Sequence, residues 1–152
     1  MRKNMKLKLI IMSIALSIMF LTLPAFSNSV QFVNQVADKQ EVTFGDVVKF
    51  FVFVTEGRSV SFEADLAILT QKNITQGINL KENDVINLGT LSLMCARALN
   101  LKNTLLYNVF KNRRYAVRAC IAAGIIPDNS GGYDKVSGEA LIQVMRRVEK
   151  GE

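Results

Sequence analysis

The sequence of 152 residues contains no histidine and no tryptophan, and it has only two cysteines and two prolines. The absence of histidine removes the Ser-His and Cys-His nucleophile systems, the commonest general base and the commonest metal ligand. No glycine-rich phosphate loop, zinc-ligand spacing or nucleophile elbow is present either. We therefore expect a protein that is not an enzyme, with no catalytic residues, no metal site and no cofactor.

Residues 1–27 have the three regions of a secretory signal peptide. The chain opens with four basic residues, Arg2, Lys3, Lys6 and Lys8. An apolar run of about 15 residues follows from Leu9 to Leu23, which is shorter than the ~20 residues that span a bilayer as a helix. Pro24 ends the run, and Ala25-Phe26-Ser27 supplies the small-x-small pattern that a signal peptidase needs. We predict export to the periplasm or cell envelope; the alternative is an uncleaved leader, which would be the protein's only contact with the membrane.

The leader also accounts for most of the net charge. The chain has 19 Lys and Arg against 13 Asp and Glu, and four of the basic residues lie in the leader. Residues 28–152 therefore keep 15 basic and 13 acidic residues, a net charge of +2. The basic isoelectric point is thus no signal for nucleic acid, and no nucleic-acid partner is expected. About 125 residues remain, enough for one domain with a core.

Capping residues and apolar spacing predict an all-α domain over residues 42–152. It follows a flexible N-terminal segment, or a short first element, at residues 28–41. Helix N-caps are predicted at Thr43, Ser61, Asn87 and Ser137. Helices are predicted over residues 62–72, 88–99 and 113–123, and after the last of these caps.

Residues 47–54 are the ambiguous part of this prediction. They read Val-Val-Lys-Phe-Phe-Val-Phe-Val, a β-branched and aromatic run whose local propensity favours a strand. The run does not alternate cleanly, and Thr43 with Asp46 has the spacing of a capping box at a helix start. Periodicity alone does not decide between helix and strand here.

A weak internal repeat runs through the chain with a period of roughly 45 residues, typical of helix–loop–helix modules. One unit is a capping residue, a small residue and a long apolar helix. It occurs as Val42-Thr43-Phe44-Gly45, Ile86-Asn87-Leu88-Gly89 and Val136-Ser137-Gly138-Glu139. The other unit is a helix that ends in a Gly- and Ile-containing stretch, and it occurs within residues 65–77 and 116–127.

The order of these units resembles the S-layer homology domain, best over residues 61–100 and 113–149. Residues 42–56 resemble the second half of a preceding repeat. The resemblance implies a compact bundle of paired helices with pseudo-three-fold symmetry. It also implies a role in attaching proteins to polymers of the cell envelope.

The sequence departs from that family at the positions that serve glycan binding. The family usually places an arginine directly after the Thr of the capping motif, whereas Phe44 and Leu88 stand there in this chain. Gly138 directly follows Ser137 in the last repeat. The tryptophan that usually opens the first helix is also absent, with Phe62 and Tyr115 nearest in position. Between an envelope protein and an anionic wall polymer as partner, these departures favour the protein.

Two groups of residues are candidates for binding. The densest basic cluster is Lys111, Arg113, Arg114 and Arg118, which could hold an anionic partner or simply form a solvated helix face. The second group is Phe50, Phe51 and Phe53, which cannot all face one core from one helix unless that helix is buried on all sides. Cys95 and Cys120 lie in apolar helical patterns, and either buried thiols or a disulfide fits them.

The sequence thus predicts an exported, non-catalytic module of the cell envelope, an adaptor or assembly component that binds another envelope protein or a wall polymer. The alternative is a small envelope-acting hydrolase that uses carboxylates alone. Glu63 and Asp65 are the nearest pair, but residues two apart on a helix point in different directions.

Overall fold

The computed structural model describes residues 24–102 and 110–151, with side chains from residue 30 onward. The chain divides into two compact units, residues 1–32 and residues 33–152. The predicted signal peptide lies outside the described residues, except for residues 24–27, which belong to the first helix.

The regular secondary structure of these residues is entirely helical, which confirms the all-α prediction. The helices are α1 (Pro24–Ala37), α2 (Phe44–Glu56), α3 (Phe62–Gln71), α4 (Leu88–Ala98), α5 (Arg113–Ala122) and α6 (Gly138–Lys150). Helices α3, α4 and α5 begin at the predicted residue and end one residue before the predicted end. Residues 28–37, predicted as a flexible segment or a short first element, lie in α1.

Helix α2 shows which signal decides the ambiguous run. The capping box forms: the Asp46 N–H donates to Thr43 Oγ1 over 3.3 Å, and the Thr43 N–H donates to Asp46 Oδ2 over 2.9 Å. Gly57, at φ 75°, ends the helix in the left-handed conformation. Residues Val47, Val48 and Val52 are fully buried. Tertiary packing of these side chains outweighs their preference for strands.

Three capping segments, residues 42–45, 86–89 and 136–139, are joined by backbone hydrogen bonds. The Val42 N–H donates to Val136 O over 2.9 Å, and the Ile86 N–H donates to Val42 O over 3.2 Å. These three residues are at most 1% exposed, so all three belong to the core. The segments therefore bring the N-termini of α2, α4 and α6 together.

The first N–H groups of these helices also find partners, although no intrahelical acceptor exists for them. Phe44 donates to Asp84 O and Leu88 donates to Asp134 O, each over 2.8 Å. Gly138 donates to Lys39 O over 2.8 Å. Each capping segment is thus fixed to a loop that precedes another capping segment.

Helix α4 is buried over most of its length. Every residue from Leu88 to Ala96 is buried, as expected for a helix covered on all sides. Helix α4 packs against α5, and α2 packs against both α3 and α6.

Two arginines hold the ends of neighbouring helices from equivalent positions. Arg97 Nη1 on α4 donates to Ile74 O over 3.0 Å and to Gln76 O over 2.7 Å, beyond the end of α3. Arg147 Nη1 on α6 donates to Gly124 O over 2.6 Å and to Ile125 O over 3.0 Å, beyond the end of α5. Each guanidinium group thus fixes the turn that follows a neighbouring helix by donating to two of its backbone carbonyls.

Candidate functional site

Three of the four residues in the predicted basic cluster line one cleft. Arg113, Arg114 and Arg118 border a cavity of about 550 Å³ beside α5, which we call the α5 cleft. Its other lining residues are Asn87, Val117, Ile121, Ser130, Gly132 and Tyr133. The fourth member of the cluster, Lys111, borders a different cleft of about 370 Å³ near the C-terminal ends of α3 and α4.

The wall of the α5 cleft opposite α5 is held by the start of α4. The Gly89 N–H donates to Gly132 O over 2.8 Å, which ties the loop at residues 128–134 to the capping segment. A Cβ atom at Gly89 would lie 2.8 Å from that same oxygen, so this close approach requires glycine. Within the loop, the Gly131 N–H donates to Asp134 Oδ2 over 2.6 Å. The cleft therefore has a wall with a fixed backbone.

Helix α5 begins at an N-cap that was not predicted from the sequence. Asn112 caps the helix by accepting the Tyr115 N–H at Oδ1 over 3.2 Å. From this start, Arg114, Val117, Arg118 and Ile121 follow at spacings of three and four residues. Residues at these spacings are neighbours on one helix face. That face is the one that lines the cleft.

The charge of the cleft is uncompensated. Arg113, Arg114 and Arg118 are exposed, and none of them forms an ion pair with another described residue. By contrast, Lys39, Lys72 and Lys135 pair with Asp46, Glu56 and Glu41 respectively. None of the described residues that line the cleft is a carboxylate. Several like charges with no counter-ion raise the local positive potential and attract anions.

The cleft is not only basic. Val117 is buried and Ile121 is half-buried, and both contribute aliphatic surface. Tyr133 is 94% exposed, the most exposed large apolar side chain among the described residues. Tyr133 was not predicted from the sequence, although an aromatic residue after two glycines in a loop is a signal that could have indicated it. The cleft therefore offers cationic, aliphatic and aromatic surface together.

The phenylalanine group lies mainly in the core. Phe51 is fully buried and Phe50 is 9% exposed. Phe53 is half-buried, and the Lys49 ammonium lies 5.9 Å from its ring centre. Phe50 and Phe51 are thus buried, as in a helix buried on all sides, whereas Phe53 is partly exposed. These two rings form no exposed patch.

Both cysteines are free and buried in the structure, on the facing helices α4 and α5. The Cys120 thiol donates to Ser92 O over 3.4 Å. Burial raises the pKa of Cys120 to about 12, and burial together with the neighbouring Cys120 raises the pKa of Cys95 well above its usual value. A thiol that stays protonated is a poor nucleophile, so both side chains act as small apolar groups.

Asp65 and Glu63, the carboxylates of the hydrolase alternative, differ in burial. Asp65 is 1% exposed and accepts the Ser59 hydroxyl over 2.5 Å and the Val60 N–H over 3.2 Å. Glu63 is exposed in the first turn of α3. Asp65 thus holds the loop before α3, a structural task that explains its position.

Within residues 24–102 and 110–151, no group of three or more His, Cys, Asp and Glu side chains is arranged to hold a metal ion. No helix in that part of the chain is both long enough and apolar enough to cross a membrane.

The chain matches no protein-family model, and comparisons with curated proteins and with solved structures also gave no match.

Proposed function

We propose that the protein is an exported, non-catalytic module of the cell envelope that holds an anionic envelope component in the α5 cleft. The observation that carries this proposal is the set of three unpaired guanidinium groups, Arg113, Arg114 and Arg118, around one cavity. Guanidinium groups bind carboxylates and phosphates with paired, charge-assisted hydrogen bonds. An anionic group of the partner would neutralise these guanidinium groups, with which no described carboxylate pairs.

The chemistry of the cleft favours holding a ligand over transforming it. Its lining side chains are arginine, asparagine, serine, tyrosine and aliphatic residues. The Asn87 amide oxygen already accepts from the Thr90 N–H over 3.0 Å and from its hydroxyl over 3.1 Å. The described lining residues include no carboxylate or thiol that could act as a general base or nucleophile.

The envelope role and the arrangement of the repeats form one part of this proposal. A signal peptide would deliver the domain to the envelope, and the resemblance to the S-layer homology domain gives it a task there. The hydrogen bonds that join the three capping segments support a pseudo-three-fold arrangement of that kind. The partner that we propose is an envelope protein rather than a wall polymer, because the family's glycan-associated arginines are replaced.

The proposal is tested by retention on envelope material. We expect the purified protein to bind an envelope extract at low ionic strength and to lose affinity steeply as salt rises, since exposed charges are screened. Replacing Arg114 and Arg118 together with glutamate should reduce retention more than about tenfold, because two attractions become repulsions. Sedimentation on purified cell wall, run in parallel, separates a polymer partner from a protein partner.

The matched control is Arg146→Glu combined with Lys150→Glu, since both residues are exposed on α6 and neither lines the α5 cleft. This control changes the net charge by the same amount and should retain binding. Equal loss in both variants would mean that net charge acts, not the cleft. Undiminished binding of the Arg114 and Arg118 variant would contradict the proposed site.

A further inference from the structure

Helices α3 and α5 occupy equivalent places in the repeat, so their surfaces can be compared position by position. Ser61 and Asn112 are their N-caps. Near their ends, the Ile74 N–H donates to Leu69 O and the Ile125 N–H donates to Cys120 O, over 2.9 Å and 2.8 Å. With the helices aligned in this way, Phe62, Glu63 and Ala67 stand at the positions of Arg113, Arg114 and Arg118.

The surface at α3 is closed where the α5 cleft is open. Glu82 stands in the loop position of Gly132, and a Cβ atom at Gly45 would lie 2.6 Å from Glu82 Cγ. The ring of Phe62 packs edge-on against that of Phe44, with centroids 6.0 Å apart. Glu63 places negative charge where α5 carries Arg114, and Glu82 adds a second negative charge in the loop. Of these two equivalent surfaces, α5 has the one that suits an anion.

The uncharged residues of the α5 cleft indicate which class of anionic ligand it suits. Hydroxyl-rich polymers are best held by groups that both accept and donate hydrogen bonds, and the cleft's charged groups are donors only. Its apolar part, formed by Val117, Ile121 and the rim residue Tyr133, suits a hydrophobic group instead. Arginine and tyrosine are enriched in protein–protein interfaces and among the residues that contribute most to their binding energy.

We propose that the α5 cleft takes a short acidic polypeptide segment that carries an apolar side chain among its carboxylates. This rests on the proposed function and specifies its ligand. The carboxylates pair with Arg114 and Arg118, which lie on one helix face, while the apolar side chain covers Ile121 and the exposed edge of Val117. Since α3 carries Glu63 and Ala67 at the positions of Arg114 and Arg118, α5 alone of this pair of helices binds such a segment.

The test uses three defined probes on the full exported protein. The first is a synthetic peptide with the sequence Glu-Glu-Leu-Leu-Glu-Glu, the second has serine in place of both leucines, and the third is inorganic polyphosphate. We expect the leucine peptide to bind about tenfold more tightly than the serine peptide, since it buries apolar surface at equal charge. Calorimetry or fluorescence anisotropy at fixed ionic strength measures this ratio.

Two variants and one control test whether the affinity ratio of the two peptides depends on the cleft. Ile121→Ser removes half-buried aliphatic surface and should bring the two peptides to similar affinity. Arg114→Glu should weaken both peptides, and Arg146→Glu, at an exposed position outside the cleft, should weaken neither. Far-UV circular dichroism confirms that each variant is folded, and a thermal transition for each identifies any loss of binding that arises from unfolding.

Three outcomes would each contradict a different part of the proposal. Equal affinity for the leucine and serine peptides would overturn the apolar part of the inference while leaving an anion-binding cleft. Polyphosphate binding as tightly as the leucine peptide would assign the cleft to an anionic polymer; it would overturn this inference and the choice of a protein partner, and would leave only the proposal that the cleft holds an anion. No binding of any probe, together with no retention on envelope material, would overturn the proposed function as well.

Discussion

Replacing Gly138 with alanine is expected to lower the free energy of unfolding by more than about 3 kcal/mol, a large fraction of a domain's total. A Cβ atom at this position would lie 1.6 Å from Val36 O and 2.6 Å from Val36 C. Both atoms belong to backbone, so no side-chain rotation relieves the clash. The Gly138 N–H donates to Lys39 O over 2.8 Å, and moving α6 away would break that hydrogen bond too.

The matched control is Gly132→Ala. A Cβ atom there would lie 3.6 Å from Val117 Cγ2, an ordinary contact distance, and the backbone is not in the left-handed region. This substitution should therefore change stability by less than about 1 kcal/mol. Urea denaturation followed by circular dichroism measures both values. Equal stability of the two variants would show that the segment around Val36 does not pack on the start of α6 as described.

Alkaline pH is expected to destabilise the fold through Cys95 and Cys120. Burial raises the folded-state pKa of Cys120 to about 12 and that of Cys95 well above its usual value. In the unfolded chain each thiol loses its proton near pH 8.5, whereas in the folded protein it stays protonated. The folded state therefore binds more protons above that pH, and stability falls as pH rises, by up to about 1.4 kcal/mol per pH unit for each thiol.

The effect is isolated by comparing the protein with a double variant, Cys95→Ala and Cys120→Ala. Lysine and tyrosine side chains also titrate at high pH, so the difference between the two proteins is the informative quantity. Urea denaturation from pH 8 to pH 11 should show a stability difference that falls steadily with pH. A difference that stays constant would mean that the thiols are not free to ionise on unfolding, as in a disulfide between them.

Local signals in the sequence were sufficient to predict most of the fold. The caps predicted at Thr43, Ser61, Asn87 and Ser137 each accept a backbone N–H three residues on. Such caps depend on a few neighbouring residues, which is why a sequence reveals them. The run at residues 47–54 was ambiguous because burial on several sides, a tertiary property, decides it.

The candidate site was only partly predictable. Arg113, Arg114 and Arg118 are close in sequence, so their clustering was visible. Lys111 is equally close but borders another cleft, because its backbone, at φ 42°, turns the chain just before α5.

The remaining walls of the site come from distant parts of the chain. Tyr133 and Asn87 reach the α5 cleft because the loop at residues 128–134 is hydrogen-bonded to the start of α4. No local pattern in the sequence specifies that backbone pairing. The same holds for Arg97 and Arg147, whose carbonyl partners lie more than 20 residues away.

Chemical-shift perturbation of backbone amides, on titration with the Glu-Glu-Leu-Leu-Glu-Glu peptide, tests the central claim most directly. The account predicts the largest shifts in residues 113–121 and 130–133, with residues 62–71 of α3 unaffected. Shifts centred on α3 or α6, with α5 unchanged, would contradict the assignment of the α5 cleft as the binding site.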